Sequence, residues 1–306
     1  VSKMGQLESM AFDDSDSVDT TVLDGDRSVR GIVNAIKSGK VKKVCVLTGA
    51  GISCATGIPD FRSPDTGIYN NTEKYGLPNP EALFELDYFK QHPETFYSFI
   101  REVFSGVYRP TFAHCFLRLL YDKGILLRVY SQNIDGLERA TGIPDSFLVE
   151  AHGSFRTASC IDCGTEYPIH RWRQDVRENR IPKCSCGETI KPDIVLYGEP
   201  LPLRYTWMHT ADMVSCDLVI VMGTSLSVQP FYSLLQQVRE NVPRLLINRE
   251  AVGPFRFCNM ESCLRDVFIQ AECDDGVIEF CQQLGWEDEL RTIYRSVNSI
   301  SILDEE

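Results

Sequence analysis

Long apolar runs are missing from this chain. No stretch approaches the roughly 18 consecutive apolar residues of a membrane-spanning helix, and the most apolar runs, such as Leu218 to Met222, are strand-sized. The N-terminal residues carry no basic patch followed by an apolar segment, so no secretory signal is expected. Only five histidines are present, so few side chains can serve as bases near neutral pH. Basic residues are in the minority, 31 against 43 acids, for a net charge of −12. Nothing resembles the basic footprint of a nucleic-acid binder, and neither a nucleic acid nor a membrane is expected as a partner.

What is there describes an ordinary soluble chain. Its 306 residues are about two domains' worth at roughly 150 per domain. Apolar residues at 43% and charged residues at 24% exclude a wholly disordered or fibrous polymer. The acids gather at the ends: residues 1–26 hold seven against one lysine, and residues 286–306 hold six against two arginines. Acidic, aromatic-poor ends of this kind read as solvated tails. Of the twelve cysteines, eight are isolated: Cys45, Cys54, Cys115, Cys216, Cys258, Cys263, Cys273 and Cys281. Several sit among apolar residues, where a free thiol behaves as a small hydrophobe. The expected compartment is therefore a reducing one, the cytoplasm or the nucleus.

Periodicity organises the chain. An amphipathic helix over about Ser28 to Ser38 precedes a buried strand, Val41 to Leu47, which runs into Thr48-Gly49-Ala50-Gly51. Residues 57–80 carry four prolines and three glycines, the mark of a long loop, and such loops are usually functional. Asn79-Pro80-Glu81 starts a helical stretch reaching about Tyr121. Further strands are expected at Leu126 to Tyr130, Leu148 to Ala151, Asp193 to Tyr197, Leu218 to Met222, Arg244 to Asn248 and Val267 to Ala271. Strands alternating with helices predict an α/β fold with a mostly parallel sheet and helices on both faces. Ligands bind such sheets beyond the carboxyl ends of the strands. The polar clusters Thr48–Gly51, Gln132–Asp135, Gly223–Ser225 and Asn248–Glu250 all fall at that edge.

Gly49-Ala50-Gly51-Ile52-Ser53 is the first candidate for chemistry. A glycine pair after a buried strand lets the backbone approach a pyrophosphate, whose charge the N-terminus of a following helix favours. The third glycine of the dinucleotide fingerprint would fall at Cys54, and the acid expected about twenty residues later is not identifiable. A tight turn without a ligand would also account for the glycines. Glu250, two residues beyond Asn248 at a later strand end, could supply the missing ribose contact. Cys160-x2-Cys163 and Cys184-x-Cys186 have the spacing of a closed, four-thiolate zinc site. Such a site leaves no open coordination position, so its metal is structural. The second pair is one residue tighter than usual, and Gly187 relieves the turn. Among the histidines, His114 starts an apolar helical run and reads as a core residue. His152 follows a strand at the edge where the clusters converge, and a histidine there can act as general base.

Taken together these segments resemble the sirtuins, the NAD-dependent protein deacylases. The matching stretches are G-A-G-I-S at Gly49–Ser53, G-I-P-D-F-R at Gly57–Arg62, Q-N-I-D-G-L at Gln132–Leu137 and H-G at His152–Gly153. The paired cysteines, K-P-D-I-V at Lys191–Val195, M-G-T-S-L at Met222–Leu226 and L-I-N-R-E at Leu246–Glu250 follow in the same order. Within the family the chain is most similar to class I and its cytosolic, tubulin-deacetylating branch, through Tyr69, Glu81-Ala82 and Glu272-Cys273-Asp274. It departs from that pattern in the short C-x-C pair and in a short segment, Gly253 to Arg265.

The resemblance implies a Rossmann-like catalytic domain over residues 27–290. Its sheet would come from 27–60, 122–153 and 191–290, its helical and cofactor-loop insert from 61–121, and its zinc module from 154–190. A disordered acidic arm, 1–26, and an acidic tail, 291–306, would flank it. NAD would lie with its pyrophosphate over Gly49, Ala50, Gly51, Ile52, Ser53 and Cys54, while Asp60, Phe61, Arg62 and Tyr69 on the long loop close over it. Gln132, Asn133, Ile134 and Asp135 would hold the nicotinamide ribose and carboxamide. Gly223, Thr224, Ser225, Asn248, Arg249, Glu250 and Cys273 would cradle the adenosine half. The acyl-lysine oxygen attacks the ribose as nicotinamide departs, and His152 then takes a proton from a ribose hydroxyl, with Asn133 as the second catalytic residue. Free lysine and O-acyl-ADP-ribose result. The segment Val195, Leu196, Tyr197, Gly198 and Glu199 would pair with the substrate backbone as an added strand. One structural Zn²⁺ would sit on Cys160, Cys163, Cys184 and Cys186. Acyl-lysine peptides, histone tails and tubulin among them, are the implied partners. An NAD-dependent oxidoreductase and a silent acyl-lysine reader remain as alternatives, separated by nicotinamide release and by turnover.

Overall fold

The computed structural model describes residues 22–58, 75–103, 106, 108–261 and 263–299. Helix α1, Val29–Lys37, is capped by the Ser28 side chain and closes at Ser38. Strand β1, Val44–Thr48, leads through short 3-10 turns to the insert helices α2, Leu86–Gln91, and α3, Pro93–Val103. Then come α4, Phe112–Asp122, β2, Leu126–Ser131, α5, Leu137–Ala140, and β3, Leu148–Glu150. The cysteine segment contributes β4, Gly153–Cys160, β5, Glu166–Tyr167, α6, Ile169–Arg177, and β6, Ile190–Ile194. The chain finishes with α7, Leu203–Ser215, β7, Leu218–Met222, α8, Phe231–Gln237, β8, Arg244–Asn248, β9, Asp266–Gln270, α9, Cys273–Leu284, and α10, Glu287–Ser299.

Six of the strands form one sheet in the order β3-β2-β1-β7-β8-β9, every pairing parallel. Strands β1 and β7 are buried along their whole length, as their unbroken V-C-V-L-T and L-V-I-V-M runs require of a sheet covered on both faces. Ile32 of α1, Phe116 of α4 and Val277 and Phe280 of α9 build the core on one face. Met213 of α7 and Phe231 and Leu234 of α8 build it on the other. Between β1 and β7 the strand order reverses direction, and the crevice beyond their carboxyl ends is where such sheets bind ligands. The α/β fold expected from the sequence is the one observed.

Several boundaries differ, each for a physical reason. The strand expected at Asp193 to Tyr197 in the parallel sheet is β6, at Ile190–Ile194, and it runs antiparallel to β4 in a separate three-stranded sheet, β5-β4-β6. The cysteine module therefore extends into residues 191–194. It is sewn to the insert by a third core in which Phe96 and Tyr97 of α3 meet Trp172 of α6 and Ile190. Residues 22–26 of the expected arm form a 3-10 turn, Val22–Gly25, because Val22 is buried and Lys40 binds Asp24 at 2.6 Å. Residues 291–299 of the expected tail belong to α10. Its inward stripe of Leu290, Ile293 and Tyr294 packs on the first core, Tyr294 stacking on Phe112 at 3.9 Å between centroids. Density of charge hid a helix with one apolar face.

Candidate active site

The four polar clusters converge on one cavity of about 770 Å³ at the carboxyl edge of the large sheet, within the range of about 300–1,000 Å³ typical of small-molecule sites. Gly49, Ala50 and Gly51 line it, with Gln132, Asn133, Ile134, His152, Gly223, Thr224, Ser225, Asn248, Arg249, Glu250 and Cys273. Val195, Leu196, Tyr197, Gly198 and Glu199 line its other side. Ile52, Ser53, Cys54 and Asp135 do not line it. Ile52 and Ser53 are fully buried, and the Cys54 thiol donates to the Ala50 carbonyl at 3.5 Å. Asp60, Phe61, Arg62 and Tyr69 lie outside the described residues.

The floor of the cavity is backbone. A Cβ on Gly49 would meet the Gly223 carbonyl oxygen at 2.7 Å, and one on Gly51 would meet the Gly223 Cα at 2.6 Å. The Gly51 N–H donates to the Gly223 carbonyl at 2.8 Å. These glycines are required because the loops after β1 and β7 touch. The α-helix expected after Gly51 is absent: 3-10 turns at Ala50–Ile52 and Cys54–Thr56 stand in its place, so no helix N-terminus faces the cavity there.

Gln132, just past the end of β2, organises the polar side. Its N–H donates to the Thr48 carbonyl at 3.0 Å, and its amide donates to Thr224 Oγ1 at 2.8 Å. Its carbonyl lies 2.8 Å from His152 Nδ1. A carbonyl can only accept, so Nδ1 carries the proton and Nε2 presents a lone pair. Burial pulls the His152 pKa below 6.5, and the bond to Gln132 opposes that pull. The ring is thus neutral and oriented, the state a general base needs. Asn133 is buried, its side-chain amide donating to the Gly49 carbonyl at 3.2 Å. Asp135 accepts from the Leu137 N–H at 2.9 Å and from Ser53 Oγ at 2.7 Å, and burial raises its pKa. His114 is the core histidine expected. Its ring is fully buried, Nδ1 accepts from the Thr111 N–H at 3.2 Å, and desolvation lowers its pKa to about 3.

The segment beyond β6 is held from both sides. The Val195 N–H donates to the His152 carbonyl at 2.8 Å, and the Tyr197 N–H to the Phe84 carbonyl at 2.7 Å. Glu199 accepts from the Leu196 N–H at 2.7 Å and pairs with buried Lys191 at 3.1 Å. Its carboxylate shapes this segment from within.

The four clustered cysteines meet at one corner of the small sheet. Their sulfurs approach at 3.5 Å for Cys160 and Cys186, and at 3.7 Å for Cys163 with both Cys184 and Cys186. Four sulfurs at tetrahedral corners about 2.3 Å from a zinc ion stand about 3.8 Å apart. The cluster fits a structural zinc site, the tight C-x-C pair included. Among the described residues, the other group of metal-type side chains is His114, Asp135 and Glu138.

Residues 49–230 match the model of the Sir2 family. The chain belongs to the Sir2 family. It is 45% identical over 294 residues to the NAD-dependent protein deacetylase sirtuin-2 of Danio rerio, which covers 91% of this chain and 77% of that protein. It is 45% identical over 285 residues to the NAD-dependent protein deacetylase hst2 of Schizosaccharomyces pombe, covering 93% of this chain and 84% of that one. With the NAD-dependent protein deacetylase sirtuin-3 of Mus musculus it shares 47% over 264 residues, 86% of this chain and 78% of the other.

This Sir2 chain also lines its cavity with residues not expected in the site from the sequence: Phe84, Leu201, Val228, Gln229 and Pro230, together with Ile194 and Glu272, which stand only in family motifs. Val228 to Pro230 continue the turn after β7 and could have been found by following that loop further. Glu272 stands at the N-cap position of α9, next to Cys273. Phe84 and Leu201 come from the insert and from the lead-in to α7, and no signal at a strand end points to them.

Proposed function

We propose that this chain is an NAD-dependent protein-lysine deacetylase that transfers the acyl group of an acyl-lysine to ADP-ribose, releasing nicotinamide and O-acyl-ADP-ribose. The observation that carries the reading is His152: a neutral, oriented imidazole on the cavity wall of a Sir2-family chain. Bound NAD supplies a ribose carbon from which nicotinamide can leave. Nε2 of His152 takes up the proton of a ribose hydroxyl, and the bond from Nδ1 to Gln132 steadies the imidazolium that results. Asn133, fixed on Gly49, and Asp135, fixed on Ser53, orient the nicotinamide ribose and carboxamide. Gly49, Ala50 and Gly51 form the pyrophosphate floor, with Ile52, Ser53 and Cys54 behind it, and Thr224, Ser225, Asn248, Arg249, Glu250 and Cys273 form the adenosine end. Asp60, Phe61, Arg62 and Tyr69, which lie outside the described residues, are proposed as cofactor contacts on the family resemblance.

The acyl-lysine enters along Val195 to Gly198, its backbone pairing as a short added strand through the groups there that the bonds of Val195, Leu196 and Tyr197 do not already take. Phe84, Ile194, Leu196 and Leu201 give that side of the cavity an apolar lining, suited to the aliphatic lysine stem. Histone tails and tubulin are the first substrates to test, in the cytoplasm or the nucleus. Zinc on Cys160, Cys163, Cys184 and Cys186 holds the small sheet that carries this segment.

The deciding experiment follows nicotinamide and deacetylated peptide together in one reaction. One nicotinamide should appear per acetyl group removed, with no NADH absorbance. Deacetylation in NAD-free, zinc-replete buffer would refute the proposal.

A further inference from the structure

Beneath the cavity floor lies a carboxylate that the proposed reaction does not use. Glu138, on α5, is 1% exposed. Its Oε1 accepts from Thr48 Oγ1 at 3.1 Å and from Ser131 Oγ at 2.5 Å. Thr48 is the last residue of β1 and Ser131 the last of β2. Ser131 Oγ in turn accepts the Asn133 N–H at 2.9 Å. Above these bonds the Asn133 side chain reaches the Gly49 carbonyl. One carboxyl group thus ties together the two strand ends from which Gly49 to Gly51 and Gln132 to Asp135 depart.

We infer that Glu138 is a positioning residue: by holding the side chains of Thr48 and Ser131, whose backbones the sheet already pairs, it orients Ser131 Oγ under the Asn133 N–H, and with it the seat of the nicotinamide ribose. The inference rests on the function proposed above. Glu138 does not line the cavity, so its effect passes through Ser131 and Thr48. Its second oxygen, Oε2, is buried without a hydrogen-bond partner among the described residues, and one Asp135 oxygen and one His114 ring nitrogen lie within 4.8 Å of a Glu138 oxygen. Burial and then the Asp135 charge raise its pKa to about 8, so the clamp is a neutral acid. A neutral amide of the same shape should serve in its place. Alanine should not.

Glu138→Gln, Glu138→Ala and Thr48→Val are compared with wild type for NAD dissociation constant, nicotinamide inhibition constant, peptide KM and melting temperature. Glu138→Ala should weaken NAD and nicotinamide binding about 5- to 10-fold, as two lost hydrogen bonds would, while peptide KM moves by less than about 2-fold. Thr48→Val, isosteric and lacking one of the bonds, should weaken both by about 2- to 3-fold. Glu138→Gln should restore wild-type constants. If NAD and peptide constants worsen together and follow the melting temperature, Glu138 is structural only and the inference fails. Should Glu138→Ala not fold, Thr48→Val decides, and an unchanged NAD constant overturns the inference. A wild-type protein that binds no NAD overturns the proposed function along with it. Wild-type binding with indifferent variants overturns the inference alone.

Discussion

Replacing His152 by alanine separates a proton-transfer role from a packing role. The side chain contributes one hydrogen bond, from Nδ1 to the Gln132 carbonyl at 2.8 Å, and a tilted ring contact with Phe231 at 6.0 Å. Removing it leaves that carbonyl without its donor, at a cost of about 1–3 kcal/mol. In a chain of this size each kcal/mol lowers the melting temperature by about 2–4 °C, so a drop of several degrees is expected with folding intact. Deacetylation should fall far more, by about 10²-fold or beyond, equivalent to at least about 2.7 kcal/mol of transition-state stabilisation. NAD affinity should stay close to wild type, since Asn133 and the glycine floor are untouched. Proton removal follows the departure of nicotinamide, so the variant should still exchange labelled nicotinamide into NAD. In wild type, the lowered pKa of His152 carries activity below pH 6.5 before protonation of Nε2 ends it. The assay measures melting temperature, deacetylation and nicotinamide exchange on one preparation. A stable His152→Ala protein deacetylating at near the wild-type rate would remove His152 as the base.

Zinc should be bound at about one ion per chain, and Cys160→Ala or Cys184→Ala should lose metal and melt at a lower temperature; a variant with full zinc and unchanged melting would refute the four-cysteine site. The pH dependence of stability should show two opposed limbs. His114 has a folded pKa of about 3 against 6.5, so the unfolded chain gains a proton the folded one refuses, and stability falls as pH drops from 6.5 towards 3. Glu138 has a folded pKa of about 8 against 4.5, so the folded chain keeps a proton the unfolded one releases, and stability falls as pH rises from 4.5 to 8. Between pH 6.5 and 8, Glu138→Gln should gain on wild type by about 1.4 kcal/mol per pH unit in urea unfolding; parallel curves would show that Glu138 is ionised.

Much of this arrangement is legible in the sequence because burial leaves few choices. The strands Leu218–Met222 and Arg244–Asn248 are the segments their apolar runs predict, and Ser28 and Ser38 bound α1 as expected. The polar clusters after those strands had to meet, since a parallel sheet brings its carboxyl ends together. What escaped depends on partners distant in sequence. Residues 190–194 pair with β4 across the cysteine loops, and pairing partners leave no trace in local periodicity. Helix α10 is recognisable only once α4 is present to receive Tyr294. The glycines pointed to a close approach of backbone, and the loop after β7 makes one such approach, a contact that local sequence does not announce. Nothing in the sequence singles out Glu138, because its burial on α5 follows from two strand ends that only the sheet brings side by side.

The contact of Gly49 and Gly51 with Gly223 bears on how such a cavity can be altered. Where side chains form a floor, a substitution is absorbed by neighbours changing rotamer. Here backbone meets backbone, and no rotamer exists to give way. The floor acts as a fixed datum plane, and variation is confined to the rim, where Ser225, Arg249, Glu250 and Glu272 stand exposed. Attempts to redirect the site toward a modified dinucleotide should begin at those four positions and leave the three glycines alone.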